Sequence, residues 1–304
     1  MSEKIQSKEV YTGVVFAILA SIIWSGNFVV ARGVIDRIPP FSLAFYRWLT
    51  AAFIMLPLAI RKFRAEKAIV AGNWKYFFWV SLTGITLFNT LIYIGGHYSP
   101  AINLALIGTT SSPVFAVLLA AIFLKDKIKP LRIFGMIICI SGIIILLSGG
   151  SLRRLINFHF STGDLWVLGA AMAFAIYNTL VRKKPEGVSA VTFLFTVFSF
   201  GTLLLLPFFI LEVLNTDSVS WDWNLVSIII YLGLGASVIS YLLWNGAIAR
   251  LGSARTALFG NLIPIFSTFE AVWILDEKIT LIHIISGLLV VTGLIIANLR
   301  KSNS

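Results

Sequence analysis

The chain has 304 residues, of which 58% are hydrophobic and 12% are charged, and its formal net charge is +11. Soluble domains are about 45–50% apolar and about 25% charged, so this composition excludes an ordinary water-soluble fold. No segment combines dense basic residues with interleaved aromatic residues, and we therefore do not expect a nucleic-acid partner.

Ten apolar runs of about 20 residues follow one another along the chain, and each is long enough to cross a bilayer as a helix. They are predicted near Val10–Ala31, Phe41–Ile60, Asn73–Ile94, Pro100–Leu124, Pro130–Ser148, Gly163–Val181, Ser189–Leu211, Asn224–Trp244, Ala254–Leu275 and Thr280–Leu299. The connections are short, so the lipid bilayer surrounds most of the chain. The sequence predicts an all-α polytopic membrane protein with ten transmembrane helices.

The distribution of Lys and Arg predicts the orientation of these helices. Eighteen of the 24 basic residues lie before the first span, after an even-numbered span or in the first turn of the span that follows it; five lie after an odd-numbered span, and Arg47 lies within the second span. Basic residues concentrate on the cytoplasmic side of membrane proteins. Both termini are therefore predicted to be cytoplasmic, in a multi-pass protein of the cell (inner or plasma) membrane.

The two halves of the chain resemble each other at an offset of about 150 residues. The matched pairs are Gly13 with Gly163, Arg32 with Arg182, Pro57 with Pro207, Gly96 with Gly246, Pro113 with Pro264, Asp126 with Glu277, and Gly142 with Gly293. Five spans is an odd number, so the second copy enters the membrane from the opposite side. Residues 10–149 and 161–300 are thus predicted to form two inverted five-helix repeats, which is typical of secondary transporters that work by alternating access.

Several motifs resemble those of one family. They are Trp24-Ser-Gly-Asn27-Phe and Pro40-Phe-Ser-Leu-Ala-Phe-Tyr-Arg47 in the first half, and Tyr241-Leu-Leu-Trp244-Asn245-Gly, Leu262-Ile-Pro264-Ile-Phe and Leu275-Asp-Glu277-Lys in the second. Over nearly the whole chain they are similar to two EamA domains of the drug/metabolite transporter superfamily, which includes YddG-like amino-acid and metabolite exporters. The first copy departs from the pattern, because the usual Gly-Glu after the fourth span reads Lys125-Asp126. The resemblance implies ten helices and the export of a small solute, but it does not fix the substrate.

Two charged residues lie well inside predicted spans, where a charge usually faces a cavity or a partner. At 1.5 Å per residue, Arg47 lies about 9 Å and Glu270 about 7.5 Å below the outer ends of their helices. We expect them to pair or to frame the pathway together, with Arg47 as a carboxylate anchor and Glu270 as a proton or amine site. A purely structural ion pair remains an open alternative.

Polar and aromatic side chains at helical spacing supply the other candidates for substrate binding. They are Trp24 and Asn27 in the first span, Asn89 and Tyr93 in the third, Tyr177 in the sixth, and Tyr241 and Trp244 in the eighth. Tyr and Trp can enclose a partly apolar solute while each donates a hydrogen bond. An interfacial belt or a gate is the alternative for Tyr177, Tyr241 and Trp244.

Pro113 and Pro264 lie near the middle of the fourth and ninth spans, at matching positions of the two halves. Each removes a backbone donor and clashes with the carbonyl four residues earlier, so both helices should be interrupted there. Interrupted helices at matching positions indicate a transport site, and we expect a helix-break or gating role. The alternative is a simple packing kink.

The remaining patterns narrow the function by what they lack. The sequence contains no GxSxG, HExxH or Walker A motif, so we expect no enzyme activity. His97 and His283 have no second ligand at metal spacing, and Cys139 has no second cysteine to pair with. We therefore expect no metal and no cofactor. Gly135, Gly142, Gly287 and Gly293 are expected to let the fifth and tenth spans approach closely.

The sequence therefore predicts a secondary transporter that exports small metabolites, with aromatic or other apolar amino acids as the leading substrate. The alternative is a phosphorylated-sugar or nucleotide-sugar antiporter. It is disfavoured because an anionic substrate should need more than one intramembrane cation, and only Arg47 is clearly one. A channel is a second alternative. The sequence leaves proton coupling and oligomeric state open.

Overall fold

The computed structural model describes residues 2–32, 34, 37–98, 111–112, 115, 118–119, 121–122, 130–157, 162–263, 265–266, 269 and 280–298. In this part of the chain the regular structure is helical. The first half contains α1 (Ser2–Arg32), α2 (Pro40–Gly72), α3 (Trp74–Ser81), a first π segment (Leu82–Leu87), α4 (Phe88–Tyr98), α5 (Pro130–Ser148) and α6 (Leu152–Ile156). The second half contains α7 (Thr162–Val181), α8 (Ala190–Asn215), α9 (Trp223–Gly233), a second π segment (Leu234–Ile239), α10 (Ser240–Leu251), α11 (Ser253–Phe259), a 3₁₀ turn (Gly260–Leu262) and α12 (Leu281–Asn298).

Five helical stretches within the described residues are long and apolar enough to cross a membrane. They are Lys8–Gly26, Pro40–Gly72, Trp74–Gly95, Ala190–Asn215 and Trp223–Leu251. Large apolar side chains cover their outer faces; Phe53 is 64% exposed and Leu214 is 75% exposed. Extended apolar surface of this kind is stable against lipid rather than water, so the fold is that of a multi-pass membrane protein.

The predicted helix ends differ from the observed ones in places. The second span was expected to end at Ile60, but α2 continues to Gly72. Arg61 to Lys67 are mostly charged and exposed, and such residues are good helix formers in water, so the helix projects beyond the apolar stretch. Most of the fourth predicted span, and most of the ninth after Ile263, lies outside the described residues.

The largest helix–helix contacts follow one pattern across the two halves. α2 packs on α8, α5 packs on α12, α1 packs on α10, and α4 packs on α7. Elements at matching positions also begin about 150 residues apart, for example α2 and α8, or the two π segments. Each major contact therefore joins an element of the first half to one of the second.

Two carboxylates hold the ends of the α2–α8 pair. At one end, Glu212 near the end of α8 accepts the backbone N–H groups of Phe41 (3.1 Å) and Ser42 (2.6 Å) at the start of α2. At the other end, Glu66 near the end of α2 accepts the N–H (2.9 Å) and the hydroxyl (3.1 Å) of Ser189, which precedes α8. Each helix thus caps the N-terminus of its partner, where backbone donors are unpaired and the helix dipole favours an anion. The two helices are therefore antiparallel.

Small residues bring α5 and α12 into close backbone contact. A Cβ atom on Gly135 would lie 2.5 Å from the backbone nitrogen of Ala297, and one on Gly293 would lie 2.6 Å from the carbonyl oxygen of Gly135. Gly142 is similarly tight, which confirms three of the four glycines predicted to allow close packing. For Gly287 the prediction is wrong, because a Cβ atom there would meet nothing within 4 Å.

One exposed ion pair joins the loop after α1 to the start of α9. Arg37 lies 2.7 Å from Asp222, whose side chain also accepts the backbone N–H of Leu225 at 2.7 Å and so caps α9. The Leu225 N–H, and after it the Arg37 guanidinium, hold the pKa of the Asp222 carboxyl below its usual value.

Candidate functional site

Arg47 places a guanidinium group among buried helices, and its side chain is only 2% exposed. Its Nε donates to Ser237 Oγ (2.8 Å), its Nη1 to Asn89 Oδ1 (3.1 Å) and Tyr93 Oη (3.4 Å), and its Nη2 to the Ala236 carbonyl (3.1 Å). The four acceptors are neutral and come from α4 and the second π segment. They fix the orientation of a cation at a depth where cations are costly, which marks the position as a candidate functional site.

The two π segments supply carbonyl groups to this network. In a π turn the N–H bonds to the carbonyl five residues earlier, and such turns occur frequently at functional sites. In the second segment the Ala236 carbonyl accepts both Arg47 Nη2 and the indole N–H of Trp24 (2.8 Å). In the first segment the Gly84 carbonyl accepts the Tyr241 hydroxyl at 2.9 Å. Each π segment is thus hydrogen-bonded to a side chain from the other half of the chain.

Aromatic rings enclose one side of this network. The ring of Trp24 lies 4.9 Å from that of Trp244, 5.6 Å from that of Tyr241 and 5.8 Å from that of Phe174, measured between centroids. Trp48 lies 5.3 Å from Tyr241, and its ring is 4.9 Å from the Arg47 guanidinium carbon. These separations are those of edge and cation–π contacts. Trp48 therefore places apolar surface against one face of the guanidinium, and the other rings continue that surface.

Two crossed hydrogen bonds join α7 to α10. The Tyr177 hydroxyl donates to Asn245 Oδ1 (2.8 Å), and the Trp244 indole N–H donates to Asn178 Oδ1 (2.8 Å). The Nδ2 atoms of both amides are buried and make no hydrogen bond with the described residues. A buried amide donor without an acceptor costs about 1–3 kcal/mol, so both Nδ2 groups would gain from an acceptor group placed beside them.

The structure brings most of the predicted site residues together. Trp24, Arg47, Asn89, Tyr93, Tyr177, Tyr241 and Trp244 are at most 7% exposed and are connected by the contacts above. Asn27 lies on α1, and its side chain is outside the described part of the structure. Pro113, Pro264 and Glu270 are also outside the described residues, so the Arg47–Glu270 pairing stays a prediction. A 3₁₀ turn replaces the α-helix at Gly260–Leu262, and the helix-break role of Pro113 and Pro264 stays a prediction.

Some members of the network could not be identified from the sequence. Trp48 and Phe174 look like ordinary core residues within apolar runs. The carbonyl groups of Gly84 and Ala236 depend on the π segments, for which the apolar pattern gives no signal. The glycines near the middle of the third and eighth spans were the only sequence feature that could have indicated an irregular helical turn there.

Comparison with known proteins gives consistent results along the whole chain. Residues 11–148 and 161–299 each match the family described as the EamA-like transporter family. An uncharacterized transporter of Archaeoglobus fulgidus is 25% identical over 93% of this chain and 96% of its own length. A probable amino-acid metabolite efflux pump of Escherichia coli is 24% identical, covering 93% of each chain. A probable terminal-alkyne amino-acid exporter of Streptantibioticus cattleyicolor is 26% identical over 93% of this chain and 92% of its own.

One solved crystal structure shares the fold. It has a TM-score of 0.75, covers 95% of this chain and 96% of its own, and is 18% identical. At that identity the similarity describes the fold alone.

Proposed function

Because this chain belongs to the EamA-like transporter family, we propose that it is a secondary transporter that exports small metabolites by alternating access. Aromatic or other apolar amino acids are the leading substrate class. The observation that carries this proposal is the buried guanidinium of Arg47, which is oriented by hydrogen bonds to α4 and the second π segment and lies against the Trp48 ring.

The chemistry of this site suits an amino acid. A guanidinium presents N–H donors in a planar fork that matches a carboxylate. The rings of Trp24, Trp48 and Tyr241 offer an apolar surface next to it, which suits an aromatic or aliphatic side chain. Two of the relatives are described as acting on amino acids or their metabolites, which supports the same class. Glu270 is the proposed amine or proton site.

We also propose that ten helices form two inverted repeats. The reciprocal caps of α2 and α8, and the matching contacts of α1 with α10 and of α4 with α7, support this arrangement. If the two halves are exchanged, the contact of α1 with α10 becomes that of α7 with α4, and the contact of α2 with α8 is unchanged. A pathway between such repeats can open alternately to the two sides.

Contacts between helix ends support the orientation with both termini in the cytoplasm. Glu66 and Ser189 meet, and the charge count assigns both to the cytoplasmic side. Arg250 and Glu9 form an ion pair at 2.9 Å, and both are assigned to the same side. Arg37 and Asp222, which also meet, are both assigned to the outer side.

Counterflow into proteoliposomes tests the proposed activity. Vesicles loaded with one amino acid should take up labelled phenylalanine, leucine or tryptophan saturably, and phenethylamine, which lacks the carboxylate, should compete poorly. Arg47→Lys keeps the charge but loses the planar fork, so half-saturation should rise roughly ten-fold or more. Arg61→Lys on the exposed end of α2 is the matched control and should transport normally.

The outcomes separate the candidate functions. If folded wild-type protein shows no saturable counterflow of any amino acid, the amino-acid assignment is wrong. Counterflow confined to a phosphorylated sugar or a nucleotide sugar would favour the antiporter function, with Arg47 then acting on a phosphate. Flux that does not saturate and shows no counterflow would indicate a channel.

A further inference from the structure

Four arginine side chains converge on one cavity at an end of the bundle, away from the site around Arg47. Arg132, Arg182, Arg250 and Arg255 line this cavity, which has a volume of about 220 Å³. None of the described lining residues is acidic. The cavity is smaller than the roughly 300–1,000 Å³ clefts that take drug-sized ligands, so it suits a compact group.

The arginines come from four different helical elements. Arg132 lies in the first turn of α5, Arg182 directly follows α7, Arg250 lies in the last turn of α10, and Arg255 lies in the first turn of α11. The topology of a membrane protein requires only that basic residues lie on one side, in any connection. That rule does not require basic residues from four separate elements to line the same cavity, so the topology of the chain does not by itself explain this cluster.

The turn between α10 and α11 borders the guanidinium groups. Gly252 has φ of 84°, a left-handed conformation that favours glycine, and this turn carries Arg250 and Arg255 on its two sides. A Cβ atom on Gly252 would lie 3.8 Å from Nη1 of Arg182, so the position is in direct contact with the cluster.

All four arginines lie at helix ends, which is the depth of lipid headgroups in a bilayer. Basic pockets between transmembrane helices on the cytoplasmic side bind the headgroups of anionic lipids. Arginine pairs with phosphate through two parallel hydrogen bonds, which gives both strength and geometry. Arg250 is paired with Glu9 at 2.9 Å, so the charge at the cavity entrance is partly balanced by the N-terminal segment.

From this geometry we propose that the cavity binds the phosphate of an anionic phospholipid headgroup. The cavity lies between Arg132 of the first half and Arg182, Arg250 and Arg255 of the second, so a bound phosphate would hold these elements together. It is separate from the proposed transport site, and its test does not depend on transport.

The test measures thermal stability of the full-length protein in phosphatidylcholine nanodiscs with and without phosphatidylglycerol. A ligand present well above its dissociation constant stabilises the folded state, and for a chain of this size we expect Tm to rise by about 2–4 °C with phosphatidylglycerol. The variant Arg182→Gln/Arg255→Gln should lose this rise. Arg61→Gln/Arg64→Gln changes two exposed arginines of α2 by the same charge and should retain it.

A second variant and a free-phosphate control make the experiment able to contradict the proposal. If the glutamine variant does not fold, Arg182→Lys/Arg255→Lys keeps the charge, and its rise in Tm should be at most half that of the wild type because the bidentate geometry is lost. An equal Tm in both nanodisc compositions, or an equal rise in the wild type and the cavity variants, would overturn the proposal. A rise of the same size with inorganic phosphate in phosphatidylcholine alone would also overturn it, because the site would then take a free anion rather than a lipid.

Discussion

Gly84 offers a sharp test of how the aromatic cluster is packed. It lies in the first π segment, and a Cβ atom added there would lie 2.1, 2.6 and 2.8 Å from Cδ2, Cγ and Cε2 of Tyr177. Carbon atoms normally approach to about 3.5–4.0 Å, so Gly84→Ala requires the ring to move by more than 1 Å. Tyr177 is completely buried, stacks on Phe174 and donates its hydroxyl to Asn245, so it cannot move freely.

The expected cost follows from two opposing effects. Overpacking of a dense interior costs typically about 1–3 kcal/mol, and replacing a helical glycine by alanine returns roughly 0.5–1 kcal/mol. Because the Tyr177 ring cannot move freely, the upper half of the overpacking range applies, and the net loss should be about 1–2.5 kcal/mol, which corresponds to a fall in Tm of roughly 2–6 °C for a chain of this size. Size-exclusion chromatography with fluorescence detection after heating measures this in detergent.

A control and a double-mutant cycle test the physical reasoning. Gly287→Ala in α12 meets nothing within 4 Å and should leave Tm unchanged or slightly raised. In a Tyr177→Ala background the space is open, so Gly84→Ala should cost almost nothing there. If Gly84→Ala costs the same in both backgrounds, or does not lower Tm in the wild type, the proposed clash with Tyr177 is wrong.

Two further predictions concern the helix ends. Glu66→Ala and Glu212→Ala each remove a capping carboxylate, so each should lower the free energy of unfolding by about 0.5–2 kcal/mol. Glu186→Ala, at an exposed loop position, is the control and should be neutral. A loss several times larger for one of the two caps than for the other would contradict their reciprocal roles. The Asp222 carboxyl has a lowered pKa in the folded state, so its contribution is fully present above its ordinary pKa of 3.8 and is lost as the pH falls below that value. Asp222→Asn should therefore unfold with a weaker pH dependence in that acid range than the wild type, and Arg37→Gln should weaken it partly; an unchanged acid limb in both variants would refute the assignment.

The apolar helices and the two-fold repeat of the chain could be predicted from the sequence because both depend on periodic, local patterns. Runs of about 20 apolar residues follow from bilayer thickness, and the offset of about 150 residues survives in Gly and Pro positions such as Pro57 and Pro207. Arg47 was identifiable because an intramembrane cation is rare. Asn89 and Tyr93 were identifiable from their helical spacing, but their hydrogen bonds to Arg47 were not.

The remaining contacts depend on tertiary geometry that a single sequence does not encode locally. Glu66 and Glu212 look like ordinary surface residues at helix ends, and only the antiparallel packing of α2 on α8 makes them caps. The π segments are also hidden in the sequence, because the additional residue changes which face the following side chains occupy, and a helix that is apolar on nearly all faces does not reveal that change. Both features join distant parts of the chain, which is why sequence patterns miss them.

The structure combines a near-symmetric scaffold with asymmetric chemistry. Trp24 of the first half and Phe174, about 150 residues later, are both aromatic and lie in ring contact. Arg47, however, corresponds at the same offset to Val197, which is fully buried and apolar. A symmetric pair of cations would repel each other and double the cost of burying charge, so one copy retains the guanidinium and the other fills its position with a hydrocarbon side chain. Under the proposed function, a substrate carboxylate bound at Arg47 would therefore have one orientation relative to the two halves, although the helix packing around it keeps the near-symmetry of the duplication.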